Sequence, residues 1–246
     1  DASKTMPAGT AFSTTVDDVS YQFVTIADVT ATGAGGVVTF NSAKIYEGTY
    51  ITSKYLVDTS DVAQRFLLPD SRVDTSTLRV QVQNSASDST VATYTKATDI
   101  SQISSTSSVY FLQEVENGRH EVYFGDGNVS KALSDGNIVI LNYVVTNKTA
   151  SNGASTFSAP STIDGVSDIT VTTVSNAGGG AEPESLASIK LQAPLDYASQ
   201  GRAVTTDDYI TYTKKLFANT QAVSVWGGED GGYDPATGVT SVPEYG

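Results

Sequence analysis

His120 is the sole histidine of the chain, and it stands among Glu114, Glu116 and Glu121 in the stretch FLQEVENGRHEVYF. Any Ser-His-Asp triad must use it, and a two-histidine zinc site is excluded. The absence of cysteine removes thiolate metal sites, a cysteine nucleophile and disulfides, in keeping with a reducing compartment. What remains is carboxylate chemistry of the kind a glycosidase uses, with Glu114, Glu116 and Glu121 as the nearest group. Charged residues on the outer face of a hairpin are more commonly a solvated surface. A second candidate is the loop DGNVSK, in which Asp126, Asn128 and Ser130 alternate like the first ligands of a calcium loop. Lys131 then occupies the position where that loop needs glycine, and Asn137 the position where it needs glutamate. A turn held by Gly125 and Gly127 is the better reading. GAGGVV, from Gly33, lacks the third glycine of a dinucleotide fingerprint and precedes a strand where a helix is required. Neither a phosphate loop nor a Gly-x-Ser-x-Gly elbow occurs in the sequence, and the acidic, glycine-rich GGEDGGYDPATG reads as a surface loop.

These residues must be positioned by β structure. Short runs rich in Val, Ile, Thr, Tyr and Phe recur between Gly, Asn, Asp and Ser: YQFVTI, VVTF, LRVQVQ, VYFLQEV, HEVYF, IVILNYVV and DITVTTV. Leu78, Val80 and Val82 alternate with Arg79, Gln81 and Gln83, so that strand has one wet face. IVILNYVV is apolar at nearly every position and suits a strand covered on both faces. Asn117-Gly118 predicts a two-residue type I′ hairpin turn. That register pairs Glu116 with Arg119, Val115 with His120 and Glu114 with Glu121. Phe111, Val115, Val122 and Phe124 then share an apolar face with His120, and Arg119 lies among three carboxylates on the other. Between Asn84 and Ser108 the chain is rich in Ser and Thr, yet TVATYTKATDI alternates enough for an exposed strand.

After SNAGGGAEPES the pattern changes. Pro183 in a first turn, Leu186 and Ile189 three apart, and Pro194 as terminator predict a short helix. Thr205 with Asp208 forms a capping box for a second helix, with acids in its first turn, Lys214-Lys215 in its last, and a stripe of Tyr209, Tyr212 and Leu216 beside Ile210 and Phe217. QAVSVW then reads as a returning strand. The fold class is therefore α+β, predominantly β: an antiparallel β-rich region, 1–176, followed by a small α+β unit with two helices, 177–246. Residues 58–149 are a candidate inserted β module, and the second unit reads as truncated at its C-terminal end. A start at Asp1 and an end at SVPEYG suggest a piece of a longer chain.

The 246 residues carry a net charge of −13 with no basic cluster, which argues against nucleic-acid binding. Neither an apolar run of about 18 residues nor a signal-like leader is present, so no membrane partner is expected. An acidic surface points instead to a positively charged neighbour and salt-sensitive association. No repeat of 20–50 residues supports a solenoid or propeller.

Taken in order, MPAGTAFST, YQFVTIAD, IYEGT, RFLLPDSRVDTSTLRVQV, the run from VYFLQEVENG through NKTASNG, GGGAEPESLASIKLQAPLDYASQGRAVTTDDY and VWGGEDGGYDP resemble the baseplate J-like wedge proteins of contractile-tailed bacteriophages, most of all those of T-even-type myoviruses. The resemblance covers almost the whole chain. Its most specific positions are Phe124-Gly125-Asp126-Gly127, Gly136-Asn137-Ile138, Ala193-Pro194, and Arg202-Ala203-Val204-Thr205 with Asp208-Tyr209. It implies a structural, non-enzymatic building block of the virion tail baseplate, assembled in the host cytoplasm. Such a protein needs no cofactor or metal, homodimerises, touches other baseplate wedge proteins, and joins wedges into a ring around the hub that rearranges as the tail contracts. On that reading Gly125-Asp126-Gly127, like Asn117-Gly118, is a structural turn, a strand-to-strand corner in which Asp126 accepts amide hydrogen bonds. Two alternatives come from other classes. A carbohydrate-binding module of a tail or cell surface requires an exposed aromatic cluster among the thirteen tyrosines and Trp226, and a glycosidase requires a raised carboxyl pKa among Glu114, Glu116 and Glu121.

Overall fold

Leu78, Val80 and Val82 are buried while Arg79 is exposed, so the alternation read in LRVQVQ is the pleat of an eleven-residue strand with one face on a core. That strand belongs to a computed structural model describing residues 3–99, 103–217, 220, 222–225, 233–234 and 239–240. The chain divides into two compact units, Asp1–Ala181 and Glu182–Gly246.

The first unit contains β1 (Ser3–Met6), β2 (Ala11–Val16), β3 (Val19–Val24), β4 (Val29–Thr32), β5 (Tyr46–Glu47), β6 (Thr49–Leu56), β7 (Phe66–Leu68), β8 (Val73–Gln83), β9 (Val91–Lys96), β10 (Val109–Val115), β11 (Arg119–Tyr123) and β12 (Ile138–Val145). A seven-stranded sheet runs in the order β6-β12-β8-β9-β10-β11-β7. All its pairs are antiparallel except β9 with β10. Its core gathers Phe66, Leu68, Val80, Val122, Val139, Leu141 and Tyr143. The edge strands approach each other through side chains: the Tyr55 ring meets Phe66 edge-on at 5.7 Å, and its hydroxyl donates to the Leu67 carbonyl.

β12 is buried on both faces, as its composition predicts: Val139, Leu141 and Tyr143 enter the core, and Val144 is buried on the other side. Opposite Tyr143 the ladder shifts register, from Asn142↔Arg79 to Val144↔Asp74. The Val144 amide, deprived there of a strand partner, donates to the Thr77 hydroxyl at 3.0 Å, and that hydroxyl donates onward to the Asp74 carbonyl at 2.7 Å. A fully buried threonine thus replaces a missing ladder bond at the bulge.

A second core, with Met6, Phe12, Phe23, Ala154 and Ile163, joins the two ends of this unit. β1 pairs with β4, and β2-β3-β5 form a small sheet. The chain leaving β12 returns beneath them: Phe157 packs edge-on against Phe23 at 5.0 Å, and Ser13 and Ser158 exchange main-chain hydrogen bonds. Two segments predicted as strands are not. VVTF contributes an isolated bridge at Val37 and then irregular backbone, and DITVTTV is irregular, with Ile169 and Val171 packed against the second core. β-branched composition there serves burial without a neighbouring strand to pair with.

In the second unit α1 spans Leu186–Ser199 and α2 Thr206–Leu216, with short strands β13 (Tyr233–Asp234) and β14 (Val239–Thr240) pairing antiparallel. Ser185 caps α1 by accepting from the Ser188 amide. Pro194 does not terminate that helix but lies inside it. The helix runs on to Ser199 and ends at Gln200, which adopts the left-handed region and is followed by Gly201. Thr205 and Asp208 form both halves of the expected capping box. Of the predicted returning strand, Ala222–Val225 is not a strand, and Gln221 and Trp226 lie outside the described residues.

Candidate functional site

Asn117 (φ 63°, ψ 29°) and Gly118 (φ 68°) adopt the left-handed angles that their types favour. Pairing nevertheless begins one residue earlier than a two-residue loop predicts, at Val115↔Arg119, with Glu116 as an extra residue in the connection. Because side chains alternate, that single residue exchanges the faces of β10. Tyr110 and Leu112, not Phe111 and Val115, join Val122 and Phe124 against the core. Phe111 instead stacks on Tyr123, centroids 5.1 Å apart and planes 17° apart, and the Arg65 guanidinium lies 4.5 Å from the Tyr123 ring.

The same shift disperses the three carboxylates. Glu114 pairs with His120, Glu121 pairs with Gln113 on the opposite face, and Glu116 sits in the turn. Glu121 forms an ion pair with Arg65 at 3.6 Å. The carboxyls of a glycosidase must flank one bond, about 5–10 Å apart, which residues on opposite faces of a sheet do not do. His120 keeps the apolar side, opposite Leu68 of β7, with its Nδ1 buried and without a hydrogen-bond partner among the described residues. No group of three or more His, Asp or Glu suited to a metal occurs among the described residues.

Asp126 is engaged within its own loop. Its carboxylate accepts from the Asn128 amide at 2.9 Å and from the Asn128 side chain at 3.0 Å, and these bonds, the amide foremost, hold its pKa below the ordinary carboxylate value. The connection from β11 to β12 is longer than a tight corner, spanning residues 124–137 between strands that are not neighbours in the sheet. The two glycines meet different demands. Gly127 has a φ of 91°, whereas Gly125 is needed for space: a Cβ there would lie 2.1 Å from Ser130 Oγ and 2.9 Å from its amide nitrogen. Ser130 is fully buried and its hydroxyl has no hydrogen-bond partner among the described residues.

At α2, the Asp208 carboxylate accepts from the amides of Thr205 (2.9 Å) and Val204 (3.0 Å), which lower its pKa in that order of importance. Arg202, Val204, Thr205 and Asp208 line a shallow cleft of about 300 Å³ with Leu195, Ala198, Asp207 and Thr211. Tyr209 is exposed, as are Leu216 and Phe217, while Thr211 is the buried residue of α2.

Sequence reasoning passed over Glu47 and Gly48, where the chain enters the seven-stranded sheet beside the point at which it leaves. The Glu47 carboxylate accepts from the Thr146 hydroxyl at 2.7 Å and from the amide and side chain of Asn147 at 2.8 and 2.7 Å. At Gly48 a Cβ would lie 2.1 Å from the Val145 carbonyl oxygen. These contacts clamp β6 against the end of β12. The signal was the Glu-Gly pair within IYEGT, a segment noted for resemblance and not for its chemistry.

The chain is thus a β-rich module with clamped strand ends and dispersed carboxylates, and no gathered metal ligands occur among its described residues. Residues 53–159 match the family model described as bacteriophage baseplate wedge protein gp6, third domain. The chain is also similar to the baseplate wedge protein gp6 of Enterobacteria phage T4, 27% identical over 250 residues that cover 90% of this chain and 36% of that one. The resemblance to baseplate wedge proteins carried by the sequence is thus borne out, and the chain spans about a third of the length of the relative it matches.

Proposed function

We propose that this chain is a non-catalytic building block of a contractile-tail baseplate wedge, located in the virion tail and acting through contacts with other wedge proteins. The match of residues 53–159 to a wedge-protein domain carries this reading, because that segment contains nearly all of the seven-stranded sheet. The separation of Glu114 from Glu121 on opposite faces supports a role without hydrolysis, and neither comparison favours a carbohydrate-binding module or a glycosidase. Homodimerisation, joining of wedges into a ring and rearrangement on contraction as rigid units belong to the same proposal. So does the division into a β-rich region with 58–149 inserted: residues 3–47 and 154–177 supply the second core, and the large sheet is built from the chain between them.

The test is affinity capture of the tagged full-length protein from phage-infected bacteria, with bound proteins identified by mass spectrometry. Recovery of other tail proteins is the expected result. Recovery of polysaccharide without tail proteins would overturn the proposal in favour of a binding module.

A further inference from the structure

The free edge of β6 is built to accept a strand. In the antiparallel pair of β6 with β12, alternate residues of β6 turn their main-chain groups toward β12 and the others turn them outward. Three observations fix the phase. The Val57 amide donates to the Asn137 carbonyl, which places odd-numbered β6 residues inward. The Val144 amide points the other way, to Thr77 of β8, so its neighbour Tyr143, paired with Ile51, faces β6. The Asn84 amide bonds to Thr90 on the β9 side, which turns Gln83 toward Ile138. Tyr50, Thr52, Lys54 and Leu56 therefore face outward. The Leu56 carbonyl is taken by the Gln64 side chain, and the Tyr50 ring packs over Gly9. Between them the amides and carbonyls of Thr52 and Lys54 have no hydrogen-bond partner among the described residues, and both residues are exposed.

The side chains beside this opening differ in charge from the molecule as a whole. Along the outer face, Lys54 is followed across the sheet by Ile140 and Gln81, and Thr52 by Asn142 and Arg79. These two rows hold two cations and no carboxylate, in a chain of net charge −13. Neither Lys54 nor Arg79 forms an ion pair among the described residues. Asn142 is held by the Thr52 hydroxyl at 2.7 Å and donates to Gln81 at 3.4 Å, so the uncharged polar groups of the rows are bonded to one another while the cations are left open.

We propose that the β6 edge binds an extended segment of a partner chain bearing carboxylates, added as an eighth strand with its acids over Lys54 and Arg79. A lysine on an open edge discourages indiscriminate pairing, and the same charge admits a strand of opposite sign. A second copy of β6 does not meet this requirement, since Thr49–Leu56 contains no carboxylate. The edge has this property whether or not the chain works in a baseplate, so its test is independent of that reading.

The test measures amide hydrogen exchange in the full-length protein, alone and with a synthetic hexapeptide alternating threonine and glutamate at about 1 mM, a concentration that reveals weak binding. Its lysine-for-glutamate counterpart is the control. The acidic peptide should slow exchange at Thr52 and Lys54 by about tenfold or more while leaving the inward amides of Ile51 and Ser53 unchanged, a local pattern that global stabilisation does not produce. The basic peptide should have no effect, and Lys54→Glu should reverse the preference. Thr52→Pro, which removes an outward amide and no ladder bond, should abolish binding; if that variant misfolds, Lys54→Glu decides. No slowing by either peptide, or equal slowing by both, would overturn the proposal. So would slow exchange at both residues before peptide is added, since the edge would then be covered by the protein's own chain.

Discussion

Gly125→Ala should be among the most damaging single-methyl changes in the β-rich unit, and Ser130 should be the reason. The added Cβ would come within 2.1 Å of Ser130 Oγ, 2.9 Å of its amide nitrogen and 3.1 Å of its Cβ, so backbone as well as side chain must move. Overpacking of this kind costs about 1–3 kcal/mol, and contact with a main-chain nitrogen places Gly125→Ala near the upper end, about 3 kcal/mol. Ser130→Ala alone removes a buried hydroxyl without a partner among the described residues, whose burial costs about 1–3 kcal/mol, so it should be neutral or stabilising by about 1 kcal/mol. In the double variant the 2.1 Å contact is gone and the 2.9 Å contact remains, so part of the loss should be recovered, a coupling of about 1 kcal/mol between the sites. Gly127→Ala is the control: its Cβ would meet only Ala132 at 3.7 Å, and its cost comes from a φ of 91°, about 1 kcal/mol. Urea unfolding followed by far-UV circular dichroism reads these differences, because the sole tryptophan, Trp226, belongs to the other unit. With a slope of about 2 kcal/mol/M, Gly125→Ala should lower the midpoint by about 1.5 M. A Gly125→Ala loss no larger than that of Gly127→Ala, or additive single and double variants, would refute the role assigned to Ser130.

Thr77→Val keeps the shape of the buried side chain but leaves the Val144 amide without an acceptor at the bulge, and should cost about 1–3 kcal/mol in the same assay, with faster exchange of that amide. The Asp88 carboxylate, held by the Asn84 side chain and by the hydroxyl and amide of Thr90, has its pKa lowered to about 2. A carboxyl depressed on folding stabilises above its unfolded value, about 3.9, and that contribution fades as pH falls toward about 2. The β8–β9 turn should therefore loosen across this interval, visible as chemical-shift changes at Asn84 and Thr90, and Asp88→Asn should remove the pH dependence. Asp208→Asn discards the charged acceptor for the Thr205 and Val204 amides and should weaken the start of α2, read as faster exchange of those two amides; undiminished protection there would argue against the cap.

Periodicity exposed most of the large sheet because β8 and β12 obey it: alternation in LRVQVQ marked a one-faced strand and continuous apolarity in IVILNYVV a doubly buried one. The capping box of α2 was equally legible, since a hydroxyl and a carboxylate three residues apart specify their bonds locally. Composition failed where burial is achieved without pairing, as in DITVTTV, whose Ile169 and Val171 reach the second core from irregular backbone. It failed also at Pro194, where loss of one amide was insufficient to stop α1. The hairpin is the most instructive case: Asn117 and Gly118 took the expected angles, but whether Glu116 pairs or bulges depends on which of Phe111 and Leu112 the core accepts, a tertiary decision that no local signal contains.

That one-residue decision also governs how the surface can act. Had Glu114 faced Glu121, two carboxylates and Arg119 would have formed one patch on the outside of the hairpin, open to catalysis or to a cationic partner. The observed register gives Glu121 to Arg65, sends Glu114 to the side of His120, and leaves Phe111 stacked on Tyr123 beneath the Arg65 guanidinium. Other carboxylates of the chain are likewise held in local bonds: Asp126 in its loop, Asp208 in its cap, Glu47 at the seam between β5 and β12. Among the described groups without such partners are the cations of the β6–β8 face and the outward main chain of Thr52 and Lys54. Net charge predicts a basic neighbour, but recognition depends on the charges that remain unpaired where the backbone is open, and at that edge they are positive.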